Sequence, residues 1–534
     1  MIRIFEEEKV PKTWEVINLE SVCEINPKLN KSNYQDDLQV SFVPMPAVDA
    51  ESGKIDVSGI RSFSQVKKGY TAFQKHDVLF AKITPCMENG KMAVVPAVTN
   101  GLGFGSTEFH VLRAGVGINP HFIYYFVSSK IFRVQAEHNM TGAVGQRRVP
   151  APWLSAEKLP LPPEKEQHRI VAKIEELFSY LDKGIESLKT AQKQLKVYRQ
   201  ALLKYAFEGK LTEQWRRDNP YKLESAEQLL ERIKQEREEH YFQRLEEWKT
   251  AVETWEENGK EGKKPTKPRK PKDYSPLTDE ILKSINELPI GWKWEKLGWM
   301  STGVGYGTSA KSASDGSHPV LRMGNIQQGK FVWDDLVFSS DKDEIEKYLL
   351  NPGDVLFNRT NSPELVGKTA IFRGEKEALF AGYLIRINHS QRVINSQYLN
   401  LYLNSYRAKQ YGNSVKTDGV NQSNINGDKL SNYPFPYCSI DEQKIIVSHL
   451  EQKLSSIDRL EEDLKQNLLK AYVLRQSTLK KAFSGQLVSQ DPNDEPANKL
   501  LKRIVRKKAQ IEAEAKADKA ATRKTTKRQA KLNN

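Results

Sequence analysis

PLPPEKEQHRIVAKIEELFSYLDKGIESLKTAQKQLKVYRQALLKYAFEGKL, from Pro160 to Leu211, aligns without a gap on PYCSIDEQKIIVSHLEQKLSSIDRLEEDLKQNLLKAYVLRQSTLKKAFSGQL, from Pro436 to Leu487. The offset is a constant 276. Identical pairs include Glu166/Glu442, Gln167/Gln443, Asp182/Asp458, Arg199/Arg475 and Gly209/Gly485. A single offset held over some fifty residues marks a duplicated unit, the first thing to look for in a long chain. Both segments carry apolar residues in alternating steps of four and three. In the first these are Ile170, Ile174, Leu177, Leu181, Leu188, Leu195 and Leu202. In the second they are Ile446, Leu450, Ile457, Leu460, Leu464 and Leu474. An apolar repeat of about 3.5 residues makes a seam that must be buried on another helix. Each copy has one such seam, so the two are expected to pair with each other.

The duplication extends upstream. VPKTWEVINL (Val10 to Leu19) matches LPIGWKWEKL (Leu288 to Leu297), and DVLF recurs at Asp77 to Phe80 and Asp354 to Phe357. Each DVLF is followed by a Gly-Lys pair, Gly90-Lys91 and Gly367-Lys368. TGAVGQRRV (Thr141 to Val149) parallels TDGVNQSNI (Thr417 to Ile425). These upstream parts mix short β-rich runs such as VSFVPM (Val40 to Met45) with Gly, Pro and Asn turns. Asn119-Pro120 signals a helix start, with a counterpart after Ser396. The expected fold class is α+β: two mixed α/β domains alternating with two long helices that pair with each other, in a tandem pseudo-repeat.

The boundaries read from the sequence are a first domain at 1–160, a first helix at 161–212, a charged helical insertion at 213–257 and a Pro/Lys-rich linker at 258–284. A second domain follows at 285–437, a second helix at 438–490 and a basic tail at 491–534. AEQLLERI (Ala226 to Ile233) in the insertion is echoed by ANKLLKRI (Ala497 to Ile504) after the second helix.

The chain has 534 residues and a formal net charge of +14, and Lys499 to Asn534 alone holds 13 Lys/Arg against 3 Asp/Glu. So basic a balance suggests an acidic partner such as nucleic acid. The tail and the linker run KKPTKPRKPK read as solvated segments, with salt-dependent contact to phosphate as the alternative. The three cysteines, Cys23, Cys86 and Cys438, are far apart and fit reduced thiols better than a zinc site. The acid-rich start shows no signal-peptide pattern, and no apolar run approaches the roughly 18 residues a membrane span needs. A cytoplasmic protein without membrane association is expected.

Together these motifs resemble the specificity subunit of type I restriction-modification enzymes. The resemblance rests on an LPxGW-type start, DVLF (GDVLF in the second copy) before Gly-Lys, a TxGxxQ-like loop, and EQxxIV opening a helix that ends in AFxGxL, all in duplicate. It implies that each variable domain is a target recognition domain and that the helices are spacers that pair as an antiparallel coiled coil. It implies further a subunit that reads a bipartite duplex DNA target and binds no cofactor itself. The partners implied are two methyltransferase subunits using S-adenosylmethionine for adenine-N6 methylation, and two restriction-translocase subunits using ATP and Mg2+. Ile170 to Phe207 would make roughly 57 Å of helix at ~1.5 Å per residue. That is more than the ~34 Å of one DNA turn separating two half-sites.

Bases are read by side chains that reach their edges, Arg pairing with guanine and Asn or Gln with adenine. The polar loops of suitable type are Lys82, Thr84, Asn89, Lys91, Gln146, Arg147 and Arg148 in the first copy. In the second they are Asn358, Arg359, Thr360, Asn361, Lys368, Gln422, Ser423 and Asn424. Ordinary turn chemistry is the competing reading for each.

No catalytic constellation is found. Asp218-Asn219-Pro220-Tyr221 lacks the second proline of an adenine-methyltransferase motif, Gly303-x-Gly305-x-Gly307 lacks dinucleotide spacing, and no Walker-type loop occurs. The chain is therefore expected not to be an enzyme. Two other roles remain open at this stage: the specificity partner of a single-polypeptide restriction-modification enzyme, and a coiled-coil adaptor unrelated to DNA.

Overall fold

The two long helices run from Glu164 to Phe207 and from Ile440 to Phe483, 44 residues each. They are seen in a computed structural model that describes residues 4–510 and 513. The chain divides into two units. The first comprises residues 1–189 and 465–534, the second residues 190–464. Each unit therefore takes one β-rich domain, half of the first helix and half of the second.

Ion pairs inside each unit give the direction of helix pairing. In the first unit Arg475 Nη1 donates to Asp182 Oδ1 at 2.6 Å, and its guanidinium lies 4.2 Å from the Phe178 ring centre. In the second unit Arg199 Nη2 donates to Asp458 Oδ1 at 2.5 Å and to Glu461 Oε2 at 3.2 Å. Residue numbers rise on one helix as they fall on the other, so the pairing is antiparallel. Asp182/Asp458 and Arg199/Arg475 are repeat mates, so the same pair of residues, exchanged between copies, makes the same contact in each unit.

Burial corrects part of the expected seam. Ile170, Ile174, Ile446, Leu450 and Ile457 are buried, and Leu202 with them, while Leu177, Leu181, Leu188, Leu195 and Leu464 are half-buried. Leu460 and Leu474 are 51% and 53% exposed. The line through Leu450 continues at Leu454, Ile457, Glu461, Leu464, Leu468, Ala471, Arg475 and Thr478. Leu460 and Leu474 each stand one residue off that line. The seam positions belong instead to Glu461 and Arg475, whose charges are neutralised across the helix pair. Reading only apolar residues skips such positions.

Both helices begin and end alike. Gln167 accepts from Asn119 N at 2.9 Å and Gln443 accepts from Asn395 N at 2.9 Å. Asn119 and Asn395 in turn cap the helices Pro120–Ser128 and Ser396–Leu403, the first as its Asn-Pro signal predicts. At the far ends Gly209 and Gly485 both have φ +72°, the left-handed conformation that terminates helices. A Cβ on Gly485 would lie 2.3 Å from Pro11 Cγ, and one on Gly209 2.4 Å from Pro289 Cγ. The duplicated Pro-x-x-Trp starts thus pack on the duplicated Gly ends.

The domains share the topology of their main sheet. In the first, an antiparallel sheet orders Cys23–Ile25, Phe109–Ala114, Val78–Ala81 and Met92–Val94. In the second it orders Gly303–Tyr306, Leu384–Asn388, Val355–Asn358 and Thr369–Ile371. A further sheet in each contains one parallel pair, Gln39–Val43 with Gly103–Gly105 and His318–Leu321 with Leu379–Phe380. Short two-stranded ribbons, Glu15–Asn18 with Lys158–Leu161 and Lys293–Lys296 with Pro434–Tyr437, lead into the long helices. The echoed motif is structural too. Leu229 and Ile233 are buried in the second unit's core, as Leu500 and Ile504 are in the first's.

Candidate nucleic-acid interface

In both domains the DVLF strand runs straight from the buried sheet to the surface, where a hairpin from far along the chain meets it. In the first, Val149 N donates to Lys82 O at 2.9 Å and Thr84 N to Arg147 O at 3.0 Å. Arg148 is bridged to both Ile83 and Thr141. In the second, Ile425 N donates to Arg359 O at 2.9 Å, and Thr360–Asn361 pairs with Ser423–Asn424, which pairs with Thr417–Asp418. Each domain thus has a three-stranded lip formed by the first and third of the predicted loops. Gly142 (φ +120°) lets the first hairpin turn, and at the hairpin tips Val144 and Val420 are 99% and 100% exposed.

The predicted polar residues divide by what they touch. Asn89, Gln146 and Gln422 are exposed, and Lys82, Thr84, Thr360 and Asn361 are half-buried on the lips. Arg147 is 3.7 Å from Glu88 and 3.8 Å from Glu137, and its side chain keeps 38% exposure. Arg148 is committed inward, holding Glu108 through two bonds of 2.9 Å and the Gln146 carbonyl at 3.0 Å. The Arg148 hydrogen bond holds the Glu108 carboxyl below its ordinary range against a smaller burial effect. Asn424 likewise donates to Thr360 Oγ1 at 2.7 Å, at the register position of Arg148. Arg359 lies 4.9 Å from the Tyr306 ring centre, and Lys368 reaches Gln327 at 3.4 Å.

Three expectations fail on burial. Asn358 is fully buried at the end of its strand, donating to Leu365 O at 3.5 Å. Ser423 is fully buried and donates to Asp418. Lys91 turns inward, its ammonium donating to the carbonyls of Met45 (3.2 Å) and Val48 (3.1 Å). None of the three presents a free group to a base edge. Residue type suggested them, but strand alternation and carbonyl-lined turns claimed them.

One feature of the first lip had no sequence signal. His110 is 5% exposed and contacts Val149 O at 2.8 Å through Nε2. A carbonyl only accepts, so Nε2 carries the proton and Nδ1 accepts from Asn26 Nδ2 at 3.0 Å. Asn26 Oδ1 is held by Val111 N at 3.0 Å, which fixes the amide. Burial lowers the histidine's proton affinity below its ordinary value, and Lys82 adds to the effect. Among the described residues no group of three or more His, Cys, Asp or Glu side chains is placed to hold a metal ion, and Cys23, Cys86 and Cys438 are free thiols. No described helix is long and apolar enough to cross a membrane.

A family model described as the type I restriction modification DNA specificity domain matches residues 11–196 and 305–470. The chain is similar to the type I restriction enzyme EcoAI specificity subunit of Escherichia coli, 28% identical over 86% of this chain and 80% of that one. It is similar also to the EcoEI specificity subunit of Escherichia coli, 27% identical over 87% of this chain and 82% of that one. A chain solved in a study of complex assembly and conformational transition of the type I R-M system shares the fold. That likeness has a TM-score of 0.63 at 19% identity and covers 90% of this chain and 99% of that one.

Proposed function

This chain belongs to the type I restriction modification DNA specificity family, and from that premise we propose that it reads a bipartite duplex target, one half-site through each lip. It is the DNA specificity subunit of a type I restriction-modification enzyme and is itself non-catalytic. The adaptor reading falls with that membership. The segments assigned to reading are 1–160 and 285–437. Their side chains are Lys82, Thr84, Asn89, Gln146 and Arg147 in the first, and Arg359, Thr360, Asn361, Lys368 and Gln422 in the second.

One observation carries this reading: the same strand-and-hairpin frame occurs twice with different exposed side chains. A frame that carries Lys82, Thr84 and part-exposed Arg147 in the first copy, and Arg359, Asn361 and a buried Ser423 at the matching positions of the second, suits two different half-sites, since base readout depends on donor and acceptor pattern. Joining two readers in one chain makes the second contact intramolecular, so selectivity multiplies. A ruler role for the long helices follows from their being shared by both units.

The proposed assembly adds two methyltransferase and two restriction-translocase subunits in the cytoplasm. S-adenosylmethionine, ATP and Mg2+ belong to those partners. The test is a whole-genome N6-methyladenine map with and without this gene. Loss of one bipartite motif on deletion is the expected result. An unchanged map in a cell that expresses the gene and its partners would overturn the proposal.

A further inference from the structure

The Pro/Lys-rich linker is bound along a helix. The helix Ala226–Glu257 begins in the second unit's core at Leu229 and Ile233, while residues 238–257 are largely exposed. The chain then turns at Asn258 to Lys260 and runs back along the same helix. Trp255 Nε1 donates to Gly262 O at 3.3 Å, Trp248 Nε1 to Pro265 O at 3.0 Å, and Arg237 Nη2 to Lys272 O at 2.7 Å. Trp255 to Arg237 is 18 residues of helix, roughly 27 Å, and ten residues of strap cover it. At about 2.7 Å per residue the strap is close to the 3.1 Å rise of a polyproline helix.

Burial along the strap has the matching period of three. Pro265, Pro268 and Pro271 are half-buried, and the residues between them are exposed. A polyproline helix has three residues per turn, so the prolines form one face, turned to the arm helix. The opposite faces carry Lys264, Lys267 and Lys270 in one line, about 9 Å apart, with Arg269 and Lys272 on another. Between Lys260 and Lys272 seven Lys/Arg stand against one acid. Among the described residues, Lys272 alone of these makes an ion pair, to Asp428 at 3.3 Å. The Lys264 and Lys267 ammonium groups lie 5.6 Å from the Trp255 and Trp248 ring centres, which orders both side chains along the arm helix while the residues stay exposed to solvent.

We propose that this strap is a sequence-independent DNA contact, its Lys264, Lys267 and Lys270 line neutralising the phosphate backbone of the duplex whose bases the lips read. The inference rests on the DNA-reading role proposed above. Recognition of the strap as a proline ligand is disfavoured, because such grooves take the prolines and here those are covered. What remains open to solvent is a preordered row of positive charge, the chemistry that binds phosphate.

The experiment compares the full-length chain, assembled with its partner subunits, with a Lys264→Gln, Lys267→Gln, Lys270→Gln triple variant. Affinity is measured for duplexes with and without the target from 50 to 200 mM salt. Each lost phosphate contact flattens the plot of log affinity against log salt by ~0.9, so the slope is expected to become shallower by about 2.7. Target and non-target affinities should fall together, leaving their ratio unchanged, and the Lys→Arg triple should restore the slope. An unchanged slope overturns the proposal. So does a changed ratio, or loss of partner subunits on a sizing column, which would make the strap a protein-docking surface. Equal binding of target and non-target by the unmodified complex would instead indict the reading role itself.

Discussion

Replacing Gly485 by alanine is expected to destabilise the first unit by roughly 2–5 kcal/mol, the sum of a left-handed backbone and an overpacked contact. Its φ of +72° costs an L-residue about 1–2 kcal/mol. The new Cβ would lie 2.3 Å from Pro11 Cγ, 2.5 Å from Pro11 Cδ and 3.5 Å from Trp14 Cζ2. Relief means moving Pro11 and the Trp14 ring, whose Nε1 donates to buried Glu166 at 3.1 Å, and overpacking of this kind costs ~1–3 kcal/mol. Gly209→Ala should cost the second unit a similar amount, since its Cβ meets Pro289 Cγ and Cδ at 2.4 and 2.9 Å. Gly184→Ala should act the other way. It lies inside the first long helix with nothing within 4 Å, so alanine should stabilise by about 1 kcal/mol. Urea unfolding followed by ellipticity reads all three. Pro11→Ala removes the steric part, so Gly485→Ala in that background should retain only the backbone cost of ~1–2 kcal/mol. Equal cost in both backgrounds, or a Gly485→Ala protein within ~0.5 kcal/mol of wild type, would refute the argument.

Three further outcomes are expected. Exchanging residues 285–437 for a foreign equivalent should change one half-site of the methylated motif, and a change in both would sink the two-lip reading. One heptad inserted in register into each long helix should lengthen the unread gap with both half-sites intact; sequencing of the methylated motif decides it. Lowering the pH from 7.5 to 5.5 should weaken contact with the first half-site more than with the second. His110 is held neutral in the fold, so the unfolded chain binds the proton first below the ordinary value of 6.5. Its contribution is complete above that value and is lost as pH falls through the lower folded value. Protonation sets Nδ1–H against the Asn26 Nδ2–H, and the matching position in the second domain is Ile385, which does not titrate. Half-site affinities measured with single-half-site mutant duplexes that respond equally would contradict this.

Much of the fold was legible because the duplication is so regular. One offset gave the helices, their pairing with each other and the paired domain starts, and the resemblance added the antiparallel sense. The Asn-Pro capping signal held as well, Asn119 being the residue that caps the following helix. The seam was legible only where it is apolar. Glu461 and Arg475 lie on it, and a reading by hydrophobicity passes to Leu460 and Leu474 instead. The lips were legible as loops but not as side-chain orientations. Lys91 and Asn358 look like contact residues until the carbonyls of Met45 and Val48, or a buried strand end, are seen to hold them. The Pro/Lys run reads as solvated from composition alone because it admits no helix. Its three-residue proline period was the available sign that a neighbouring surface would order it.

The pattern of identity between the copies follows from which contacts cross between them. Asp182 meets Arg475, Arg199 meets Asp458, Pro11 packs on Gly485 and Pro289 on Gly209. Glu166 accepts from Gln490 at 2.6 Å, and Glu442 from Arg216 at 2.5 Å. Every one of these joins a residue of one copy to a residue of the other. A change in either copy therefore damages a contact in a unit it shares, and both copies retain the same residue. The lips are closed within a copy, Thr84 with Arg147 and Arg359 with Ile425, and those hydrogen bonds are backbone to backbone. No cross-copy contact ties Gln146 or Arg147 to its mate, and backbone pairing tolerates any side chain. The proposed reading surface of a lip can consequently change while the exchanged frame beneath it stays as it is. That division explains why QRR faces QSN across the repeat while Glu-Gln, Asp and Arg recur unchanged.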